Sequence, residues 1–260
     1  MMKKSAIGGI FLALAGIAVG LFLDGGKPSQ LVQPTAALIV FGGTLGAVLV
    51  QFPFEVLAQA LAALKTVFWG EDDHGNQLLN DMVRYAAKAR RSGVVSLDSE
   101  LESVTDPFLK KCLTLAVDGT LAPQIRETMD VALNMKADEE DAVPRVFEAA
   151  GGFAPTIGIL GAVIGLIQVM QHLDNIGAVG RGIAGAFVAT IYGVGAANLF
   201  LLPCAGRIKR AFQLRQTRRE MVLEGVIEIV ERSSPGTVEA KLSTYLQQPA
   251  RPRPVAVAAR

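Results

Sequence analysis

Four apolar stretches with no charged residue inside any of them constrain this chain more than any other feature. They cover residues 7–23, 35–52, 153–171 and 183–202. Each approaches the ~20 residues that cross a bilayer core as a helix, and a backbone in lipid must satisfy its own hydrogen bonds. The expected fold is therefore an all-α membrane protein with four transmembrane helices and a helical cytoplasmic domain. Transmembrane helices 1 and 2 fall in 1–52 and helices 3 and 4 in 151–204; a cytoplasmic helical domain occupies 53–150, a helical extension 205–246 and a disordered tail 247–260.

Charge is segregated accordingly. The chain is 51% hydrophobic yet carries 25 Lys+Arg against 24 Asp+Glu, crowded into 53–150 and 205–260. A net charge of +1 argues against a nucleic-acid binder, which shows a basic stripe on a soluble fold. The loops at 24–34 and 172–182 hold one basic residue each, Lys27 and Arg181. The remaining Lys and Arg, including Lys3, Lys4, Arg207, Lys209 and Arg210, place both termini and the middle segment in the cytoplasm. Lys3-Lys4 before a short apolar run also fits a secretory signal peptide, but Asp24-Gly25-Gly26 reads better as a turn into the next span.

Enzyme chemistry finds no foothold. Cys112 and Cys204 make neither a disulfide framework nor a metal site, and His74 and His172 have no neighbour at ligand spacing. No phosphate loop, dinucleotide fingerprint or nucleophile elbow is present.

The cytoplasmic parts read as helices. Leu57, Leu61, Leu64 and Phe68 form an apolar stripe over 54–69, broken by Gly70 and the acidic run 71–73. A second helix spans 80–91, Ser96 marks a fresh start, and Asp106-Pro107 opens another helix. A polar helix over 121–143 has Pro144 near its end, and its run 138–141 is read as a solvated acidic face. Beyond the fourth span, Ile208, Phe212, Val222, Val226 and Val230 form one stripe of a long helix. Ser234 then caps a short one.

Spans three and four are dense in small residues: Gly158, Gly161, Ala162 and Gly165, then Gly185, Ala186, Ala189, Gly193, Gly195 and Ala196. Such faces allow close helix approach, either between copies in an assembly or within one subunit. The polar residues at depth are Thr44, Thr156, Gln168, Thr190, Tyr192 and Asn198. None cycles a proton near neutral pH, so if ions cross here a partner must supply the carboxylate.

Several fragments in this order resemble flagellar motor stator A subunits of the MotA/PomA type, within the MotA/TolQ/ExbB proton channel family. They are ALIVFGGT at 37–44, ARRSGVVSLD at 89–98, FLKKC at 108–112 with VDG at 117–119, APTIG at 154–158 and ATIYG at 189–193. EGVIEI at 224–229, with Pro235 and Lys241-Leu242, completes the set. The resemblance implies a ring, five copies by family analogy, around two MotB-like single-span, peptidoglycan-binding subunits whose intramembrane Asp carries the ion. Ion flow then turns the ring against the rotor switch protein FliG at the flagellar basal body, in the bacterial inner membrane. No nucleic-acid partner and no cofactor are implied. The energy suffices in scale: one charge releases ~2.3 kcal/mol per 100 mV.

By the same resemblance, Arg90 and Asp98 match the charged pair that engages the rotor, with Asp98 where the family carries Glu, and Arg91 assists. Taken alone, all three read as solvated charges. Pro155 and Pro203 match two prolines linked to coupling, though Pro155 also suits a first helical turn and Pro203 a simple kink. Ala162, Thr190 and Tyr192 are expected to line the channel. Sodium-using members carry Thr where Ala162 stands; a methyl ligates no cation, so the translocated ion is expected to be H+. The nearest rival is a TolQ- or ExbB-like energiser of envelope machinery, which typically has three spans and lacks the paired first two.

Overall fold

The computed structural model describes residues 2–69 and 74–247. The expected break at 70–73 and the expected disordered tail beyond Gln247 lie outside them. Among the described residues the elements are all helical: α1 (Met2–Leu23), α2 (Pro34–Gln51), α3 (Phe54–Trp69), α4 (Gly75–Ser92), α5 (Pro107–Val117), α6 (Ala122–Met170), α7 (Ile176–Val230) and α8 (Pro235–Gln247). Short 3-10 turns occupy Pro28–Leu31 and Val94–Glu100. Helices α2, α6 and α7 are long and apolar enough to cross a membrane, and the apolar segment Gly8–Leu23 of α1 is shorter.

The chain divides into two compact units, 1–70 with 141–209, and 71–140 with 210–260. The first holds the apolar helices. Here α1 packs against α3, and α2 lies against α7 through Ala36, Val40, Val188 and Ala189. Two sequence readings are corrected in this unit. The expected Leu57–Leu61–Leu64–Phe68 stripe of α3 is only partly covered: Leu57, Leu64 and Phe68 are half-buried and Leu61 is 69% exposed, while Ala60, Ala63 and Val67 are buried. Small side chains let a neighbouring helix come close, so the narrow face wins the packing. The last span begins earlier than expected, at Ile176, because Asn175 caps it by accepting the Ala178 N–H at 3.0 Å.

Prolines do not end helices where the sequence suggested. Pro144 was expected near a helix end and Pro155 suited a first turn, yet both lie inside the continuous 49-residue α6. Each removes one backbone donor, which a long helix held by neighbours tolerates. Pro203 sits differently, two residues beyond a wide π-type turn at Ala197–Leu201. In a regular helix its ring would meet the Leu199 carbonyl, and the widened turn supplies the missing room. A second wide turn, Leu38–Gly42, interrupts α2, where the Thr44 hydroxyl donates to the Val40 carbonyl at 2.6 Å.

The second unit is built around a core of Met82, Tyr85, Leu97, Leu113, Ile125, Met129, Val226 and Leu242, among others. Asp106 caps α5 by accepting from the N–H of Phe108 at 2.8 Å, and Ser234 caps α8 by accepting from Thr237 at 3.1 Å. The tail of α7 corrects a further expectation. Residues 221–229 are buried on every side rather than along one stripe, because α4 and α8 pack against each other in the same core that surrounds this stretch.

Candidate functional site

Three groups of side chains stand out: a small-residue seam in the first unit, a buried charge network in the second, and an exposed set of charges on the second.

The seam joins α6 to α7. A β-carbon built on Gly158 would lie 2.9 Å from the Ala189 carbonyl oxygen and 3.3 Å from the Gly193 Cα, and one on Gly193 would overlap the Ala154 carbonyl. One on Gly165 would stand 3.2 Å from Ala186. These glycines are therefore used within the subunit, which decides between the two readings left open by spacing for this face. Gly152, Gly180 and Gly195 meet nothing within 4 Å and remain open.

Expected channel residues are distributed around that seam. Ala162 is half-buried on α6, one residue beyond Gly161, which faces Ala189 and Ile39. Thr190 is half-buried on α7 and its hydroxyl donates to the Ala186 carbonyl at 3.4 Å. With Asn198, Ile191, Val194 and Ile17 it lines a groove of ≈ 390 Å³. Tyr192 has its own set of contacts. Its ring stacks on Phe41 at 5.9 Å, its hydroxyl donates to the Leu31 carbonyl, and it accepts the Gln33 N–H at 3.1 Å. That hydroxyl is engaged in pinning the turn ahead of α2. Two other polar residues at depth bond locally: Thr156 donates to the Phe153 carbonyl at 2.8 Å and Asn198 to the Val194 carbonyl at 2.9 Å. No carboxylate stands among these groups.

Sequence reading missed the buried network. The acidic run 138–141 is not simply a solvated face: Glu140 is buried and takes a bidentate pair of hydrogen bonds from Arg219 at 2.8 and 2.9 Å. Glu224 and Glu228, one turn apart on α7, are both buried and share Lys241 of α8, which donates to Glu228 at 2.6 Å and to Glu224. Arg126 adds a second donor to Glu224 at 2.7 Å. Burial pushes the Glu224 carboxyl up, but the bonds from Lys241 and Arg126 outweigh it and hold it below the ordinary range. The bond from Lys241 likewise lowers Glu228, and the two carboxylates raise Lys241 to about 12. The signal was present in the motif EGVIEI, whose two acids lie one turn apart on an otherwise apolar stretch. Cys112 is buried, which pushes its thiol up to about 12 and makes it a core residue rather than a nucleophile.

The third group lies at the end of α4. Arg90 and Arg91 occupy its last turn and are exposed, and Asp98 is exposed on the following 3-10 helix. Gly93 makes the reversal between them at φ +82°, a backbone region that other residues rarely adopt. Arg90 and Arg91 thus end one helix and Asp98 lies on the next, all three exposed.

Comparison with known proteins gives the family of the chain. Residues 100–221 match the MotA/TolQ/ExbB proton channel family and residues 7–93 match the motility protein A N-terminal model. Motility protein A of Bacillus subtilis (strain 168) is 36% identical over 94% of this chain and 91% of its own length. The chain belongs to the motility protein A branch of the MotA/TolQ/ExbB proton channel family. Among solved structures, MotAB of C. jejuni covers 97% of this chain and all of its own (100%), with TM-score 0.89 and 29% identity. The flagellar MotAB stator complex from Bacillus subtilis covers 92% of this chain and 94% of its own, with TM-score 0.84 and 36% identity. A motility protein A is a channel subunit and not an enzyme.

Proposed function

We infer that this chain is the A-type stator subunit of a bacterial flagellar motor, converting ion-motive force into torque. The observation that carries this is the conjunction of a full-length likeness to MotAB stator proteins with four apolar stretches, 7–23, 35–52, 153–171 and 183–202, that hold no charged residue. Such helices can form a path but cannot relay a proton themselves, so the carboxylate belongs to a partner of MotB type. The match at 7–93 includes the first two apolar stretches, which favours a motility protein over a TolQ- or ExbB-like energiser.

The chain is a multi-pass protein of the inner membrane, with four spans and both termini cytoplasmic. It assembles as a ring, five copies by family analogy, around a MotB-like pair. Thr190 and Ala162 face the path of the partner helix, with H+ as the coupling ion. Pro155 and Pro203 lie where α6 and α7 leave the membrane, and Pro203 has the wide turn at Ala197–Leu201 as its flexible neighbour. Arg90, Arg91 and Asp98 contact the rotor protein FliG.

Charge reversal tests the step at which torque reaches the rotor. Arg90→Glu and Asp98→Lys, expressed with the partner in a strain lacking its own stator, should impair swimming while membrane level and partner co-purification stay unchanged. Normal swimming of both, in dilute and viscous media, would remove the rotor contact from these residues.

A further inference from the structure

Asp98 is carried by a seven-residue 3-10 helix, an element with poor intrinsic hydrogen bonding, and its position must be fixed by something else. With three residues per turn, Val94, Leu97 and Glu100 share one face and Val95 and Asp98 the next. Leu97 is fully buried, Glu100 is half-buried, and Val95 and Asp98 are exposed. The inner face is therefore anchored to the core by Leu97 in its middle and by Glu100 at its far end.

Glu100 is held from α4. The Lys88 ammonium donates to Glu100 at 2.6 Å and to the Ser99 hydroxyl at 2.8 Å, and the Arg84 guanidinium lies 3.9 Å from the second Glu100 oxygen. Arg84 is itself held, by Asp81 at 3.2 Å and over the Tyr85 ring at 5.0 Å. Asp81, Arg84, Glu100, Lys88 and Ser99 thus form a connected set rather than an isolated surface pair. Networks of this kind hold geometry where single exposed pairs contribute little. Arg84, Lys88 and Arg91 fall at successive turns of one α4 face, so the face that grips the 3-10 helix ends in one of the contact residues.

We propose that the Lys88–Glu100 latch, backed by Arg84, is the positioning device that holds Asp98 in register with Arg90 and Arg91 for the rotor contact. This rests on the stator reading above and adds to it residues that do not themselves touch the rotor. With the latch broken, the 3-10 helix keeps the Gly93 turn and the Leu97 plug but loses its far anchor. Asp98 then samples several positions relative to Arg90, and only some of them match the partner surface.

Two measurements on the full chain with its partner test it. In a strain lacking its own stator, Lys88→Glu and Glu100→Lys should each reduce swimming at high load about fivefold, the scale set by one strong surface interaction, at unchanged membrane level. The swap K88E/E100K and the conservative K88R should recover most of the loss. Arg90→Glu is run alongside: if it swims normally, the rotor-contact reading fails. If it is impaired while K88E and E100K swim normally, the latch is overturned and the contact stands. If the single reversals are impaired but the swap is not rescued at equal membrane level, the two residues act as contact charges and the latch is again overturned. The second measurement does not depend on motility. Spin labels at R91C and D98C should give a narrow distance distribution with Lys88 present and a broad one with Lys88→Gln; equal widths would overturn the proposal even where a reversal variant fails to accumulate.

Discussion

Gly158 on α6 and Gly193 on α7 meet backbone to backbone, with room for a side chain on neither. This contact sets how closely the two longest apolar helices can approach, and no other residue type fits it.

Gly158→Ala should therefore destabilise the chain although alanine is the better helix former by ~1 kcal/mol. The methyl would stand 2.9 Å from the Ala189 oxygen, which belongs to a backbone and cannot rotate away. Overpacking of that kind costs ~1–3 kcal/mol. Gly195→Ala, where nothing lies within 4 Å, should not destabilise the isolated chain and should gain up to ~1 kcal/mol from the better helix former. Thermal unfolding of the two variants in one detergent separates these outcomes, and equal melting temperatures would show that the seam is looser than described.

The Glu140–Arg219 pair should behave as a buried charge pair. Its side chains are 11% and 19% exposed and bonded through two parallel hydrogen bonds. Arg219→Met leaves a buried carboxylate without its donor and should cost ~2–3 kcal/mol, discounted from a fully buried pair for the remaining solvent contact. Glu140→Gln with Arg219→Met should recover part of that loss. A double-mutant cycle on thermal stability measures it, and strict additivity would mean the two residues do not interact.

Acid sensitivity should trace to Glu224 and Glu228. Both carboxyls are held below their ordinary 4.5, so their contribution to stability is present above that value and is lost as pH falls through their lowered folded-state values. Lys241 has the opposite sign: raised to about 12 from 10.5, it contributes fully below 10.5 and is lost as pH rises through about 12. Between these limits stability should be flat with respect to this network. Lys241→Met removes a donor from both acids while their burial remains, so the acid transition should move to higher pH. Melting temperature as a function of pH would show it, and an unmoved transition would assign acid unfolding to other carboxylates.

The coupling ion has a direct test. Ala162 presents a methyl where a sodium-type relative presents Thr, and the nearby Thr190 hydroxyl is already bonded to the Ala186 carbonyl. Sodium must exchange hydration water for fixed oxygens, whereas a proton passes to a partner carboxylate without them. Motility driven by this chain should persist without sodium and collapse with a protonophore, and Ala162→Thr alone should not convert it. Swimming speed that rises with sodium at fixed proton-motive force would reverse the ion assignment and leave the stator function untouched.

Much of this protein was legible in its sequence because the signals are local. Runs of uncharged apolar residues specify membrane helices wherever they fall, since a bilayer penalises every exposed charge and unpaired amide. Asp106 and Ser234 announced helix starts, because a capping side chain reaches only the backbone two or three residues ahead. The break between the helix that ends at Ser92 and the one that carries Asp98 was readable at Gly93.

Tertiary structure decided what depends on partners distant in the chain. Pro144 and Pro155 look like helix ends by propensity, yet both lie within α6, one long helix whose flank packs along its length on other elements. The acid at 140 looked solvated until Arg219, 79 residues away, closed on it. The bond from the Tyr192 hydroxyl to Leu31 could not be read from spacing, and Glu224 and Glu228 stood one turn apart for no visible reason until Lys241 came between them. Periodicity and propensity report only what a residue prefers beside its neighbours. Burial, ion pairing and close backbone approach belong to the fold, and a sequence shows them only after the chain has brought those groups together.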